Sequence, residues 1–292
     1  MESAVKTELG SQIRSLARSG EFAGQTSGRA PDYLQGNVVI LPERYASDFL
    51  HYCLNNPKPC PLIGLSKPGD PTIPALGDDI DIRRDVPSYR VYRDGVLSGQ
   101  STDISDLWSS DMVAFVLGCS FTFEAALIRN GYRVRHVELG CNVPMFKTNI
   151  ETIPGGIFSG PMVVTMRSFP EHQIPEIFDL SFRYPHAHGT PIHWGDPEEI
   201  GISDIRSPDY GDAVEVPDDE VLAFWACGVT PQASIERAKP DICITHAPGC
   251  MLVTDVLSAD VLSETPPVVD VSLTHLLTQS TSNVEGNGGN LS

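Results

Sequence analysis

Cys119, Glu124, Asp212 and His246 are the side chains of this 292-residue chain whose settings best fit acid–base or nucleophilic work. His246 closes the apolar run Asp241-Ile242-Cys243-Ile244-Thr245, and the turn Ala247-Pro248-Gly249 that follows exposes it, so it reads as a general acid. Glu124 falls in the first turn of a helix expected after Gly118-Cys119-Ser120-Phe121-Thr122-Phe123. There it is either a working carboxylate or part of a capping box. Cys119 stands just before the same helix, where a thiol is activated in principle. A nucleophilic Cys also needs a His, and His246 is the candidate. Asp209 and Asp212 flank Tyr210 around Gly211. Such carboxylates suit acid–base work or Mg²⁺/Mn²⁺ binding, and an Asx turn is the alternative.

Two further stretches carry possible ligands. Pro185-His186-Ala187-His188-Gly189-Thr190-Pro191-Ile192-His193-Trp194-Gly195-Asp196 has spacings that could bring imidazoles and a carboxylate to one metal, with His193 and Asp196 the preferred pair. Phe224-Trp225-Ala226-Cys227-Gly228-Val229-Thr230-Pro231-Gln232 reads as a buried strand, a tight turn and a helix capped by Thr230 with Pro231 in its first turn. It offers Cys227, Thr230 and Gln232 to a substrate. Tyr210 and Arg167 complete the binding candidates.

These groups need elements to hold them. The strand over 221–227, a short helix and the strand over 241–247 read as one strand–helix–strand unit with the two strands side by side and parallel. Strand C-terminal ends in such units present polar groups. Upstream, the periodicity predicts a helix over about 5–20, a strand over 38–41 and a helix over 42–55, which the proline-rich Asn56-Pro57-Lys58-Pro59-Cys60-Pro61 stops. Residues 87–93 read as a strand turning at Arg93-Asp94-Gly95 into a hairpin. Helices are expected from Ile104 and Asp111, strands over 132–138 and 162–167, a helix over 175–184 and a strand over 191–194. No internal repeat is visible. The fold class expected is α/β, a three-layer α/β/α domain (1–135 plus 218–262) carrying an inserted two-layer α+β domain (136–217). The Ser-, Thr-, Asn- and Gly-rich end of a 263–292 tail cannot bury a core.

Composition narrows the classes. The net charge of −18 argues against nucleic-acid binding. It also means that an anionic substrate needs a local cationic pocket, for which Arg83, Arg84, Arg90, Arg93, Arg133, Arg135, Lys147 and Arg167 are candidates. No apolar run reaches about eighteen residues, so no membrane span is expected. The acidic N-terminus does not look like a targeting segment, and the cytoplasm is the expected location. Seven cysteines without a CxxC pair read as buried thiols. Phosphate-loop, dinucleotide and serine-hydrolase motifs are missing, so no nucleotide cofactor is expected.

The ordered set Asn56-Pro57-Lys58-Pro59-Cys60-Pro61, Gly118 to Glu124, Asn142-Val143-Pro144-Met145, Ser159-Gly160-Pro161, Pro208-Asp209-Tyr210-Gly211-Asp212, Phe224 to Gln232 and Thr245-His246-Ala247-Pro248-Gly249 resembles the D-glutamate cyclase family over roughly residues 10–260. Bacterial members carry hydro-lyase names. The resemblance implies the two-domain α/β architecture, a divalent metal (Mn²⁺ or Mg²⁺) and loss of water from a small acidic metabolite. A vertebrate mitochondrial relative closes D-glutamate to 5-oxo-D-proline. Glu124 or Asp212 would then be the base and His246 the acid. A dehydratase of a hydroxy acid and a non-catalytic small-acid binder are the alternatives, and a homo-oligomer is left open. The chain departs from the family at Cys250, where a His is usual.

Overall fold

Tyr33–Pro42 is buried along almost its whole length, so its residues must form an inner strand, and they do. In the computed structural model of the protein, which describes residues 9–262, the elements follow in this order: α1 (Gly10–Arg18), β1 (Tyr33–Pro42), α2 (Glu43–Asn55), β2 (Leu62–Leu65), β3 (Tyr89–Arg93), β4 (Val96–Ser101), β5 (Met112–Gly118), α3 (Phe121–Arg129), α4 (Arg135–Leu139), β6 (Met145–Glu151), β7 (Pro161–Pro170), α5 (Ile174–Phe182), β8 (His193–Trp194), β9 (Glu220–Ala226), α6 (Val229–Ala238), β10 (Cys243–His246) and β11 (Leu252–Leu257). The start of the helix expected over 5–20 and the tail after 262 lie outside the described residues.

The architecture is mixed α/β with two antiparallel sheets. The larger runs β2-β5-β1-β10-β3-β4, with β11 also paired to β1. The smaller runs β6-β7-β9-β8. One face of the larger sheet packs Leu41, Phe115 and Leu117 against Phe49 and Leu50 of α2 and Ile235 of α6. Its other face packs Ile40, Val116 and Ile244 against Ile73, Leu76, Ile80 and Ile82. These four come from the connection between β2 and β3, whose side chains seal that face without a regular helix. Phe123 and Leu127 of α3, Ile177 of α5 and Trp225 of β9 make a third cluster.

The expected parallel pair is overturned. β9 lies in the smaller sheet against β7 and β8, whereas β10 lies in the larger one between β1 and β3, antiparallel to both. Both strands are short and apolar, and nothing in such a run states which neighbour it takes; the α6 crossover joins two sheets rather than two places in one. The helix expected from Asp111 is strand β5, because a short apolar run reads equally as buried strand or helix. Residues 105–107 make only a 3₁₀ turn. Within the strand expected over 132–138 lies the one-turn-plus helix α4, ended by Gly140 in the left-handed region. The hairpin at Asp94-Gly95 forms as expected, with both residues at positive φ.

Candidate active site

The C-terminal ends of β5, β9 and β10 come together although they belong to two sheets. Between them is a pocket of about 690 Å³ counting its open mouth. Its wall carries Cys119 and Ser120 after β5, Cys227 and Gly228 after β9, and His246 ending β10. Asn37 of β1, His136 of α4, His188, Gln232 of α6, and the loops around Gln25 and Asn142 complete it. None of the residues lining it is a Lys, Arg, Asp or Glu. The local cationic pocket expected from the charge balance is therefore not found among them.

Two buried imidazoles face this space in opposite states. Val38 donates its backbone N–H to His246 Nδ1 at 3.1 Å, where the ring takes the ladder position opposite Val38 as β10 ends. The Val38 carbonyl is farther from the same nitrogen, at 3.3 Å, so we assign Nδ1 as the acceptor and place the proton on Nε2. His188 is the reverse. Its Nδ1 lies 2.7 Å from the Lys58 carbonyl, which can only accept, so Nδ1 carries the proton and Nε2 keeps its lone pair. Burial drives both rings down to about 4, which keeps them neutral at physiological pH. Lys58 belongs to the proline-rich stretch, and its Nζ also holds the Thr190 carbonyl and hydroxyl at 2.9 and 2.8 Å. That stretch thus fixes the His188 segment from below.

The two thiols sit on matching turns. Each follows the last residue of a strand and precedes a helix, α3 for Cys119 and α6 for Cys227. Val229 N–H lies 3.4 Å from Cys227 Sγ, and in both turns the Thr three residues on donates its N–H to the Cys carbonyl, at 3.2 Å for Cys119 and 3.0 Å for Cys227. A Thr follows three residues later in both turns, Thr122 and Thr230, and Glu124 and Gln232 follow five residues later. The turns are pressed close. A Cβ on Gly118 would stand 1.6 Å from the His186 carbonyl oxygen, and one on Gly228 would stand 2.4 Å from Asn37 Nδ2. The same Nδ2 donates to the Gly118 carbonyl at 3.0 Å, so Asn37 ties one turn to the other. Burial pushes the Cys119 thiol up to about 12 and the Cys227 thiol up to about 11.

Several expected roles move. Glu124 does not line the pocket; it lies behind it, 2% exposed, against Arg167. Burial alone would raise its carboxyl, but the Arg167 guanidinium and the adjacent His136 ring outweigh that and hold it down at about 2. A carboxylate so held is a poor base. Its partner Arg167 donates from Nε at 3.0 Å, reaches Thr165 Oγ1 at 2.8 Å, and stacks over Phe123 and Trp225. Arg167 is thus engaged inside the protein rather than open to a substrate. His136 Nε2 stands 3.2 Å from Glu124, so this pair backs a pocket imidazole. Asp212 accepts the Asn142 N–H at 2.9 Å and Asp209 accepts the Lys147 N–H at 2.8 Å, while Tyr210 bridges Met145. The 209–212 segment therefore pins a pocket wall from outside. Thr230 does not cap α6; its hydroxyl is bound to the Val163 N–H and carbonyl at 3.0 and 3.1 Å. Gln232 does line the pocket and donates to the Tyr92 hydroxyl at 2.7 Å. Sequence reasoning missed His136 and Asn37, and offered His188 only within a possible metal-ligand stretch. A polar Asn at the head of the apolar run Val38-Val39-Ile40-Leu41 was the available signal.

The D-glutamate cyclase family model matches residues 113–255, from β5 to β11. A protein of Jannaschia sp. (strain CCS1) is 58% identical over 244 residues, 84% of this chain and 92% of its own length. One of Bordetella petrii is 55% identical over 248 residues, covering 85% and 94%. Both carry the name "Putative hydro-lyase". This chain belongs to the D-glutamate cyclase family. In this cyclase-family chain the metal that the resemblance implied does not fit the residues expected to hold it. His193 Nε2 contacts the Asp196 carbonyl at 2.7 Å, and the Asp196 carboxylate takes the Glu198 N–H at 2.9 Å as a helical cap. Among the described residues no three His, Cys, Asp or Glu side chains are placed to hold a metal ion. Cys250, where a family His is usual, is buried beside the pocket loop, with its thiol raised by burial.

Proposed function

We propose that this chain is an enzyme, a hydro-lyase that removes water from a small acidic metabolite, and that D-glutamate closing to 5-oxo-D-proline is its reaction. The observation that carries this reading is the pair of neutral imidazoles, His188 with an open lone pair and His246 with an open N–H, on one pocket. Cyclisation needs both. The amine must give up a proton before it attacks the γ-carboxyl, and the departing oxygen must gain one. His188 Nε2 receives the amine proton and, as imidazolium, hands it to the departing oxygen, while His246 Nε2–H donates a hydrogen bond to that oxygen and keeps its proton; the second ammonium proton passes to the same oxygen as the ring closes. The balance is simple: the ammonium loses two protons, the carboxylate loses one oxygen, and they leave together as water. The substrate's other carboxylate lies at the N-terminal ends of α3 and α6, where partial positive charge and the Ser120 and Gly228 N–H groups offset the lack of a lining cation.

Pure protein incubated with D-glutamate should release a product lighter by the mass of water. H188Q and H246Q should each lower turnover roughly 10²- to 10⁴-fold, the usual worth of a positioned acid or base. Turnover of a hydroxy acid but not of D-glutamate would shift the reading to a dehydratase. Binding of either without turnover would make the protein a small-acid binder.

A further inference from the structure

Hydro-lyase chemistry as drawn above leaves the two pocket thiols without a task. They are not scattered cysteines. Both follow the last residue of a strand, both precede a helix of at least nine residues, both accept at the carbonyl the N–H of the Thr three positions on, and both line one cavity. Each is followed by a residue, Ser120 or Gly228, whose backbone N–H has no protein partner among the described residues. The pocket is therefore built twice from one local pattern, Cys-x-x-Thr-x-Glu/Gln, in chain segments that belong to different sheets. The two thiols therefore reach one cavity from elements of two different sheets. A reaction whose forward and reverse steps use the same reagent from two directions is inversion at a carbon acid.

We propose that Cys119 and Cys227 form a proton-transfer pair that exchanges and inverts the α-hydrogen of a small amino or hydroxy acid, a second activity of this pocket. It shares with the hydro-lyase reading only the ligand class. The carboxylate of the ligand lies against the two N–H groups, and its Cα lies between the sulfurs. One cysteine, as thiolate, takes the α-hydrogen as a proton, and the Cα–H electron pair passes into the carboxyl group. The other, as thiol, returns its own proton to the opposite side of the same carbon. The thiolate and thiol have then changed places, no electrons have left the substrate, and no co-reactant is consumed. The first thiolate arises by loss of a proton to water. Burial keeps both thiols protonated at neutral pH, so thiolate is scarce there. The exchange rate should therefore climb about tenfold per pH unit from pH 7 to 10.

The test uses the wild-type chain with D-glutamate and separately L-glutamate in D₂O, following loss of the α-proton signal, chirality, and water loss in the same tube. Expected is deuterium at Cα appearing first in the inverted enantiomer, with the pH slope just given. C119S and C227S should each slow exchange roughly 10²-fold or more. If a serine variant fails to fold, the pH slope and the isotope position in the wild type still decide. Exchange without water loss would uphold this proposal and overturn the cyclisation. Water loss without exchange, or exchange equal in both serine variants and the wild type, would overturn this proposal and leave the cyclisation standing. Neither reaction with either enantiomer would overturn both.

Discussion

At the scale of single residues, His188 and His246 set the acid limit of the fold. Each has a folded pKa of about 4, below the ordinary value of 6.5 that applies in the unfolded chain. Between those values the unfolded chain binds more protons, so stability is full above pH 6.5 and falls as the pH drops toward 4. Each ring contributes about 3 kcal/mol of that loss, taking the shift at its full size because both rings are buried. Urea unfolding should show a midpoint that falls steeply from pH 6.5 to 4, and a shallower fall in H188Q. A flat midpoint would mean that the rings are not buried as neutral groups. Glu124 makes the opposite case. Removing its charge in E124Q strands the Arg167 guanidinium, which should cost about 3–5 kcal/mol of unfolding free energy. Of these side chains the sequence announced His246 and Cys227 at the ends of legible strands, and Cys119 and Gln232 beside or within the starts of legible helices. It hid the fate of Glu124, whose partner Arg167 is 43 residues away, and nothing local reports a contact at that range.

At the scale of elements, the two cysteine turns depend on close backbone approach. Asn37 fills the gap that a side chain at position 228 would need. G228A should therefore push Asn37 off the Gly118 carbonyl and cost about 1–3 kcal/mol, with a larger proportional loss of turnover. Calorimetry and initial rates on one preparation measure both, and a fully active, fully stable G228A would refute the tie between the turns. The strand–turn–helix character of the segment around Cys227 was legible, whereas at Cys119 only the break and the following helix were, because the short apolar run before it reads equally as helix or strand. The pairing of β9 and β10 was not. Register and neighbour are settled by which edges remain open once the other strands have associated, and that depends on the whole chain at once. α4 escaped for a similar reason: five residues carry too little period to separate helix from strand.

For the whole molecule, the charge of −18 surrounds a pocket whose lining holds no fixed charge. An anionic substrate should meet repulsion at low ionic strength, so kcat/KM should rise several-fold between about 10 and 150 mM salt, as the screening length shrinks from roughly 30 to 8 Å. A fall instead would point to an attractive local field. The pocket also straddles a seam: His246 and Cys119 end strands of the larger sheet and Cys227 ends a strand of the smaller one. A ligand seated there is a rivet. It should stiffen both sheets together, so amide exchange in β5, β9 and β10 should slow in concert when it binds. At a hundred times its dissociation constant it adds about 2.7 kcal/mol to the cohesion of the entire body. An enzyme built in this way reports occupancy through its own rigidity, and a thermal-shift screen of small acids would find its substrate without any knowledge of the reaction.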